Sequence, residues 1–370
     1  MTLWTLGRIL KVEVHPVRVP FNRPFKLASG AYLPAAEYVL LQIRSSEGFE
    51  GWGESSPMPS FSGLGQREVV KELKAAAEFL RNRELNLIKL LRLLSDKLQL
   101  SSYASCAIEN ALLDLLGKMI DMPVHQLLGG RLRERIELAW PIGIGDMDLV
   151  MEEARKAVKS GFKELKLKVG ENLTEDLARI KALREEFPEI PLRVDANQGY
   201  SREDAVKAGE EYSKLGVSLF EQPVEKNDLQ GLKMVRQTGV KVMADESCYS
   251  PSDAYRLASA EAVDVINIKI MKSGGLLKAK EVAAICEAAG LANSLGSMLE
   301  LGVGTVTGLQ FAVACPNIRY RAEIVGPLFL EDDLIESPLK FENGSLELPR
   351  GSGLGVSVDL RALEEYGVKA

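Results

Sequence analysis

Histidine is nearly absent from this chain. Its 370 residues include two, His15 and His125, and neither lies near the polar clusters of the second half. That leaves no base for a serine–histidine–aspartate triad and too few ligands for a histidine-rich zinc site. Acid–base chemistry must therefore fall to lysine or carboxylate. The four cysteines, Cys106, Cys248, Cys286 and Cys315, form no CxxC pair, a pattern expected of reduced thiols in a cytoplasmic protein. No apolar run reaches membrane-spanning length, and the opening MTLWTLGRILKVEV lacks the apolar core and cleavage site of a signal peptide. A net charge of −6 without a basic stripe argues against nucleic acid as a partner.

What is present points to a large α/β protein. The length suits one barrel plus a smaller domain. Residues 10–19 and 38–45 read as strands, with Glu47-Gly48 at a turn; 20–34 and 55–65 read as loops. Helical periodicity covers 66–98 and 105–119. Residues 1–130 are thus expected to form an α+β unit closed by Gly129-Gly130. From 137 onward short apolar strands alternate with amphipathic helices. The strands fall at 137–144, 164–169, 192–195, 218–222, 241–245, 263–270, 291–298 and 318–324. Eight such units predict a parallel barrel over 131–325 rather than an open, doubly wound sheet. The tail, 326–370, is expected to return over the first domain.

In a βα barrel the chemistry sits at the C-terminal ends of the strands. Here the apolar strands end in charge: LRVD at Asp195, SLFE at Glu221, KVMAD at Asp245 and VINIK at Lys269. One carboxylate after a strand is usually a helix cap or a solvated loop residue. Three on consecutive strands would converge at the barrel mouth and repel unless a cation lay between them. Hard oxygen donors suit Mg²⁺ or Mn²⁺. Lys166 and Lys168 alternate on one strand and so share a face. In an eight-stranded ring the strand of Lys269 lies opposite theirs. Desolvation and a cationic neighbour lower a lysine's pKa, so Lys168, tuned by Lys166, and Lys269 are candidates for general acid–base work on either side of a substrate. Structural salt bridges to the three acids are the plainer alternative. Two rival functions are a Schiff-base aldolase using Lys269 as its amine and a non-catalytic barrel; neither explains the carboxylates. Gly302-Val303-Gly304 opens a helix and either presents N–H groups to an anion or simply permits tight packing.

At these residues the sequence resembles the muconate-lactonizing-enzyme subgroup of the enolase superfamily. The matching pieces are KLK (166–168), DAN (195–197), EQP (221–223), DES (245–247), IKIMKSGG (268–275) and MLELGVG (298–304). GWGESSP (51–57), PVHQLLGG (123–130), EIVGPLFL (323–330) and LPRGSGLGVSVD (348–359) extend the likeness over nearly the whole chain. The resemblance implies a modified (β/α)7β barrel capped by the N-terminal α+β domain. It implies Asp195, Glu221 and Asp245 as ligands of Mg²⁺ or Mn²⁺, and Lys168 and Lys269 as the acid/base pair. Candidate substrate contacts are Arg23, Asn197, Met298, Glu300 and Glu323. The partner is then a small-molecule carboxylate, with no nucleic acid or membrane, in a homo-oligomer. The subgroup holds muconate cycloisomerases, dipeptide epimerases, o-succinylbenzoate synthases and N-acylamino-acid racemases, which share this core. Strand eight favours a cycloisomerase or racemase over a dipeptide epimerase. The epimerases carry Asp-x-Asp there for the substrate ammonium, whereas this chain has Glu323-Ile324-Val325.

Overall fold

The computed structural model describes residues 7–26 and 32–369, the side chains of 23–26 and 32 excepted. Its N-terminal part is an antiparallel sheet of β1 (Ile9–Lys26), β2 (Tyr32–Ser45) and β3 (Glu50–Ser55), in that order. Helices follow: α1 (Pro59–Ser62), α2 (Gln66–Leu80), α3 (Leu87–Lys97), α4 (Ser102–Met119) and α5 (Val124–Leu127). Residues 38–43 of the central strand β2 are all buried, which is why apolar side chains occupy both faces of the strand instead of alternating with polar ones, Gln42 alone excepted. Helix α4 packs directly on β3. A Cβ at Gly51 or Gly53 would lie 2.2 Å from the Ala111 carbonyl oxygen or 1.9 Å from that of Ala107, so only glycine admits the helix at that distance.

Two sequence expectations need correction here. The supposed loop 20–34 is largely strand, since β1 runs to Lys26 and β2 starts at Tyr32; residues 27–31 lie outside the described residues. The single helical stretch over 66–98 is two helices. Asn82 takes a left-handed φ of 62°, and the Asn86 side chain caps α3 by accepting from the Lys89 N–H.

The second part is a parallel seven-stranded sheet alternating with helices. The chain passes through β4 (Arg135–Glu137), β5 (Trp140–Ile142), α6 (Met147–Lys159), β6 (Leu165–Lys168), α7 (Leu173–Glu186), β7 (Leu192–Asp195), α8 (Arg202–Lys214) and β8 (Leu219–Glu221). It continues through α9 (Leu229–Arg236), β9 (Val242–Ala244), α10 (Pro251–Ser259), β10 (Val265–Ile268), α11 (Ile270–Ser273), α12 (Leu276–Ala288), β11 (Ala292–Leu295) and α13 (Gly302–Ala314). The sheet order is β11-β10-β9-β8-β7-β6-β5. The expected first strand, 137–144, is divided. Its start, β4, pairs antiparallel with β13 (Ser345–Glu347) of the tail, which also pairs β12 (Phe341–Glu342), and only β5 joins the parallel sheet. The expected eighth strand, 318–324, is reduced to isolated parallel bridges, Ile318 to Asn293 and Ala322 to Leu138. It therefore touches β11 on one side and Leu138, between β4 and β5, on the other. The tail ends with α14 (Leu360–Glu365), and bridges from Leu330 to Phe21 and from Gly367 to Val17 lay it on β1.

Period-two alternation along the strands builds the interior in layers. Leu219, Met243 and Val265 pack together as a small apolar cluster. Two residues further along the same strands stand Glu221, Asp245 and Asn267, all fully buried. Among the described residues no helix is long and apolar enough to cross a membrane.

Candidate active site

Strands β6 to β10 lie side by side and deliver their last residues to one place. Lys168 closes β6, Asp195 closes β7, Glu221 closes β8, Asp245 follows β9 and Lys269 follows β10. The three acids therefore lie on the strands between the two lysines. Lys166 occupies the middle. Its ammonium is 2.9 Å from Asp195 Oδ2, 2.6 Å from Glu221 Oε2 and 2.8 Å from Glu323 Oε2. Lys168 donates to the same Asp195 Oδ2 at 2.6 Å and to Asn197 Oδ1 at 2.5 Å. On the far side Lys269 lies 2.7 Å from Asp245 Oδ2, with its ammonium 4.6 Å above the Phe61 ring. That aromatic face, supplied by α1, is an attractive site for a cation.

Burial and neighbours pull these groups in opposite directions. Burial alone would raise the Asp195 carboxyl, but Lys166 and Lys168 hold it well below the usual carboxylate range. Lys269 and Lys272 do the same for Asp245. Glu221 differs: burial and the adjacent Asp195 push it up to about 8. Glu246 rises to about 7 through burial and the charges of Asp245 and Asp195. Burial favours the neutral amine of Lys269, yet Asp245 and Glu221 outweigh it and raise the lysine above its ordinary value. The same contest raises Lys166, through Asp195, Glu221 and Glu323. Desolvation is thus present, as the sequence suggested, but with the carboxylates this close it does not win.

Several supporting residues escaped the sequence reading. Asn267 donates to Glu221 Oε1 at 2.8 Å. Lys272 donates to Asp245 Oδ1 at 2.8 Å, to the Asp245 carbonyl at 2.6 Å and to that of Asn267 at 2.9 Å. Gln222, fully buried with a φ of 36°, accepts from the N–H groups of Asp245 and Ser247 at 3.0 and 3.1 Å, which explains the glutamine of EQP. Below them Arg193, fully buried, lies between Glu164 at 3.8 Å and Glu323 at 3.5 Å. The available signal was periodicity: Arg193 and Asn267 precede Asp195 and Lys269 by two residues and so share their inward face.

The substrate-contact candidates fare unevenly. Asn197 bridges Lys168 and Glu246, donating to Glu246 Oε1 at 3.0 Å. Met298 is buried, and its N–H donates to Glu300 Oε1 at 3.0 Å. Glu300 also accepts from the Ser297 hydroxyl. Glu323 is not left open to a ligand: Lys166 and Arg193 already engage its carboxylate. The Arg23 side chain lies outside the described residues.

A divalent cation fits the donor chemistry here. Glu221 Oε2, Asp245 Oδ2, Glu246 Oε2 and Asn267 Oδ1 are buried oxygens that accept no hydrogen bond. The first two meet only the ion-pair contact of a lysine. With lysine ammonium groups interleaved among the acids, no three His, Cys, Asp or Glu side chains among the described residues close on a common point. Asp195, Glu221 and Asp245 supply the hard oxygens that Mg²⁺ or Mn²⁺ prefers, and the lysines are the flexible members that can yield the space.

Both parts of the chain are similar to known proteins. Residues 9–129 match the family model "Mandelate racemase / muconate lactonizing enzyme, N-terminal domain", and 149–362 match "Enolase C-terminal domain-like". Muconate cycloisomerase 1 of Acinetobacter baylyi is 34% identical over 366 residues, covering 96% of this chain and 98% of its own. The crystal structure of muconate lactonizing enzyme from Pseudomonas fluorescens complexed with muconolactone superposes with a TM-score of 0.94 at 30% identity, covering 98% of this chain and 100% of that one. A dipeptide epimerase from Enterococcus faecalis V583, complexed with Mg and the dipeptide L-Leu-L-Tyr, gives a TM-score of 0.90 at 33% identity, covering 95% and 99%.

Proposed function

The chain belongs to the mandelate racemase / muconate lactonizing enzyme family of the enolase superfamily and is an isomerase; we propose that it moves a proton alpha to a substrate carboxylate, with Lys168 and Lys269 as the acid/base pair. The observation that carries this is the order of charges along the sheet. A lysine stands at each end of a row of three acids, so a substrate seated on the acids has an amine on either side. In a racemisation one lysine removes the proton, an enediolate forms and the opposite lysine returns a proton; in a cycloisomerisation the enediolate forms when a second carboxylate of the substrate adds to the conjugated double bond, and one lysine then protonates it. A carbon acid beside a carboxylate is very weak, so the developing negative charge must be met by positive charge fixed in advance.

Asp195, Glu221 and Asp245 would hold Mg²⁺ or Mn²⁺. When bound, the cation supplies charge neutralisation, both for the enediolate and for the carboxylates that otherwise keep Lys269 charged. The chain's own residues do the rest. Lys166 offsets the surplus of negative charge at the centre. Asn267 and Lys272 orient Glu221 and Asp245. Asn197 holds the Lys168 ammonium in place, and Phe61 covers Lys269 and excludes water from it.

Strand eight bears on the substrate. With Glu323 engaged by Lys166 and Arg193, and Val325 fully buried, an ammonium group at that position would find no free carboxylate. A charge-assisted hydrogen bond forgone there costs roughly 1.5–3 kcal/mol. The reading is therefore a cycloisomerase-like or racemising activity on a carboxylate without a free amine at that end. We further take the parallel sheet to close into a (β/α)7β barrel over 131–325, through the bridges of 318 and 322, with 1–130 and 326–370 together forming the cap. The test is a panel of cis,cis-muconate, N-succinyl amino acids and free-amine dipeptides, followed by NMR. Turnover of either of the first two classes is expected. Efficient epimerisation of the dipeptides alone would refute the substrate reading while leaving the lysine pair intact.

A further inference from the structure

The segment joining β11 to α13 is fixed by a residue more than two hundred positions away. Glu54, fully buried on β3 of the N-terminal domain, accepts from the Leu301 N–H at 2.8 Å through Oε1 and from the Gly304 N–H at 2.6 Å through Oε2. The Ser56 hydroxyl donates to Glu54 Oε1 at 2.8 Å. The anion foreshadowed by Gly302-Val303-Gly304 is thus one of the protein's own carboxylates. The fit is close: a Cβ at Gly304 would sit 3.0 Å from Glu54 Cδ and 2.7 Å from Glu300 Cβ. A second tie comes from Tyr38 on β2, whose hydroxyl donates to the Leu299 carbonyl at 2.8 Å.

The other end of this segment touches the reacting machinery. The Gly296 N–H donates to the Ile268 carbonyl at 2.8 Å. A Cβ at Gly296 would lie 2.9 Å from Lys269 Cε and 2.7 Å from the Asn267 amide. The backbone at 296 therefore forms a wall of the channel in which the Lys269 side chain runs. Lys168, on β6, five strands from β11 along the sheet order, makes no hydrogen bond or ion pair to this segment among the described residues and is held by Asp195 and Asn197.

We propose that Glu54 is a positioning residue: acting from the N-terminal domain, it holds 296–304 against Lys269 and so sets the geometry of one acid/base face and not the other. This rests on the two-lysine reading given above. Burial raises the Glu54 carboxyl to about 7, against the hydrogen bond from Ser56; above that pH the carboxylate accepts all three donors, whereas an amide has one acceptor oxygen and turns its NH2 toward at least one backbone N–H. Glu54→Gln should therefore loosen the segment without removing a group that touches substrate.

The experiment has two arms. In protein labelled with ¹³C at lysine Cε, the Lys269 resonance is assigned by its loss in Lys269→Ala and that of Lys168 by its loss in Lys168→Ala. Glu54→Gln should move the Lys269 resonance and leave that of Lys168 in place, with no substrate required. In the second arm, alpha-proton exchange with D₂O is followed for both enantiomers of a series of N-succinyl amino acids. The Lys269 face is the one silenced in Lys269→Ala. There Glu54→Gln should lower exchange about tenfold to a hundredfold, with a change below about twofold on the Lys168 face. Tyr38→Phe, which removes only the tie to Leu299, should give a smaller loss on the same face, and it serves if Glu54→Gln does not fold. Equal losses on both faces, or an unmoved Lys269 resonance, would overturn the proposal. If the wild type exchanges neither enantiomer, the two-lysine reading fails on these substrates, and the resonance arm still decides whether Glu54 positions Lys269.

Discussion

Replacing Glu109 by glutamine should stabilise the protein in neutral and alkaline solution and change little in acid. Glu109 lies on α4, is buried, and accepts from the Leu277 N–H at the start of α12 at 2.8 Å. It thereby joins the N-terminal helix to the part of the chain that carries the parallel sheet. Burial raises its carboxyl from 4.5 to about 7, only partly opposed by the N–H groups of Leu277 and Leu276. A carboxyl raised in this way binds its proton more tightly in the folded than in the unfolded chain. Its contribution is fully present below 4.5, falls as pH rises, and is gone above about 7. The change amounts to about 3 kcal/mol. Glutamine keeps an acceptor for Leu277 and never ionises. Urea unfolding of both proteins at about pH 5 and about pH 8 should give nearly coincident curves at the lower pH and a more stable variant at the higher one. A variant less stable by the same amount at both pH values would refute the reasoning, since it would mean that the hydrogen bond matters and the buried charge does not.

Three further outcomes follow from the same geometry. Arg193→Ala removes the buried cation between Glu164 and Glu323, leaving Glu164 with Arg321 at 3.8 Å and Glu323 with Lys166 at 2.8 Å, and should cost about 3 kcal/mol in unfolding free energy, the lower end for a broken buried pair; a calorimetric melt close to wild type would contradict the buried ion network. Gly275→Ala should destabilise by about 1 kcal/mol or more, because φ at this position is 131° and the new methyl would lie 2.4 Å from Glu109 Oε1; an unchanged melt would refute it. Exhaustive chelation should abolish activity, Mg²⁺ or Mn²⁺ should restore it, and calorimetric titration of Glu221→Gln should show weakened metal binding; full activity in chelated enzyme would remove the metal from the account.

How much of this was legible in the sequence depends on where each residue's partner lies. Asp195, Glu221, Asp245 and Lys269 stood out because each ends an apolar strand, and a charge closing a buried strand is a local signal. Arg193 and Asn267 sit inside strands, where a polar residue reads as noise until the inward face is known. Lys272 lies in a short helix after the strand, and its link to Asp245 appears only once β9 and β10 are adjacent. Glu54 is the last residue but one of β3, but its partners, Leu301 and Gly304, are about 250 residues away, and no periodicity carries that distance. The eighth strand was overestimated because 318–324, IRYRAEI, alternates apolar and charged residues as a strand does, yet forms only isolated bridges. The 20–34 loop was misjudged for the opposite reason. Prolines at 20, 24 and 34 suggest irregular backbone, but 20 and 24 lie on the edge strand β1, and 34 lies near the start of β2, beside the register shift between Pro20 and Phe25 and outside the stretch paired with β3, places where proline is tolerated.

The central claim is that Lys168 and Lys269 serve opposite faces of one substrate carbon. It is tested most directly by alpha-proton exchange in D₂O, measured for both substrate enantiomers in wild type, Lys168→Ala and Lys269→Ala. Each variant should keep its fold and lose roughly 10²–10⁴-fold in turnover, with exchange abolished for one enantiomer and retained for the other, the two variants being complementary. Normal exchange of both enantiomers in either single variant would contradict the assignment.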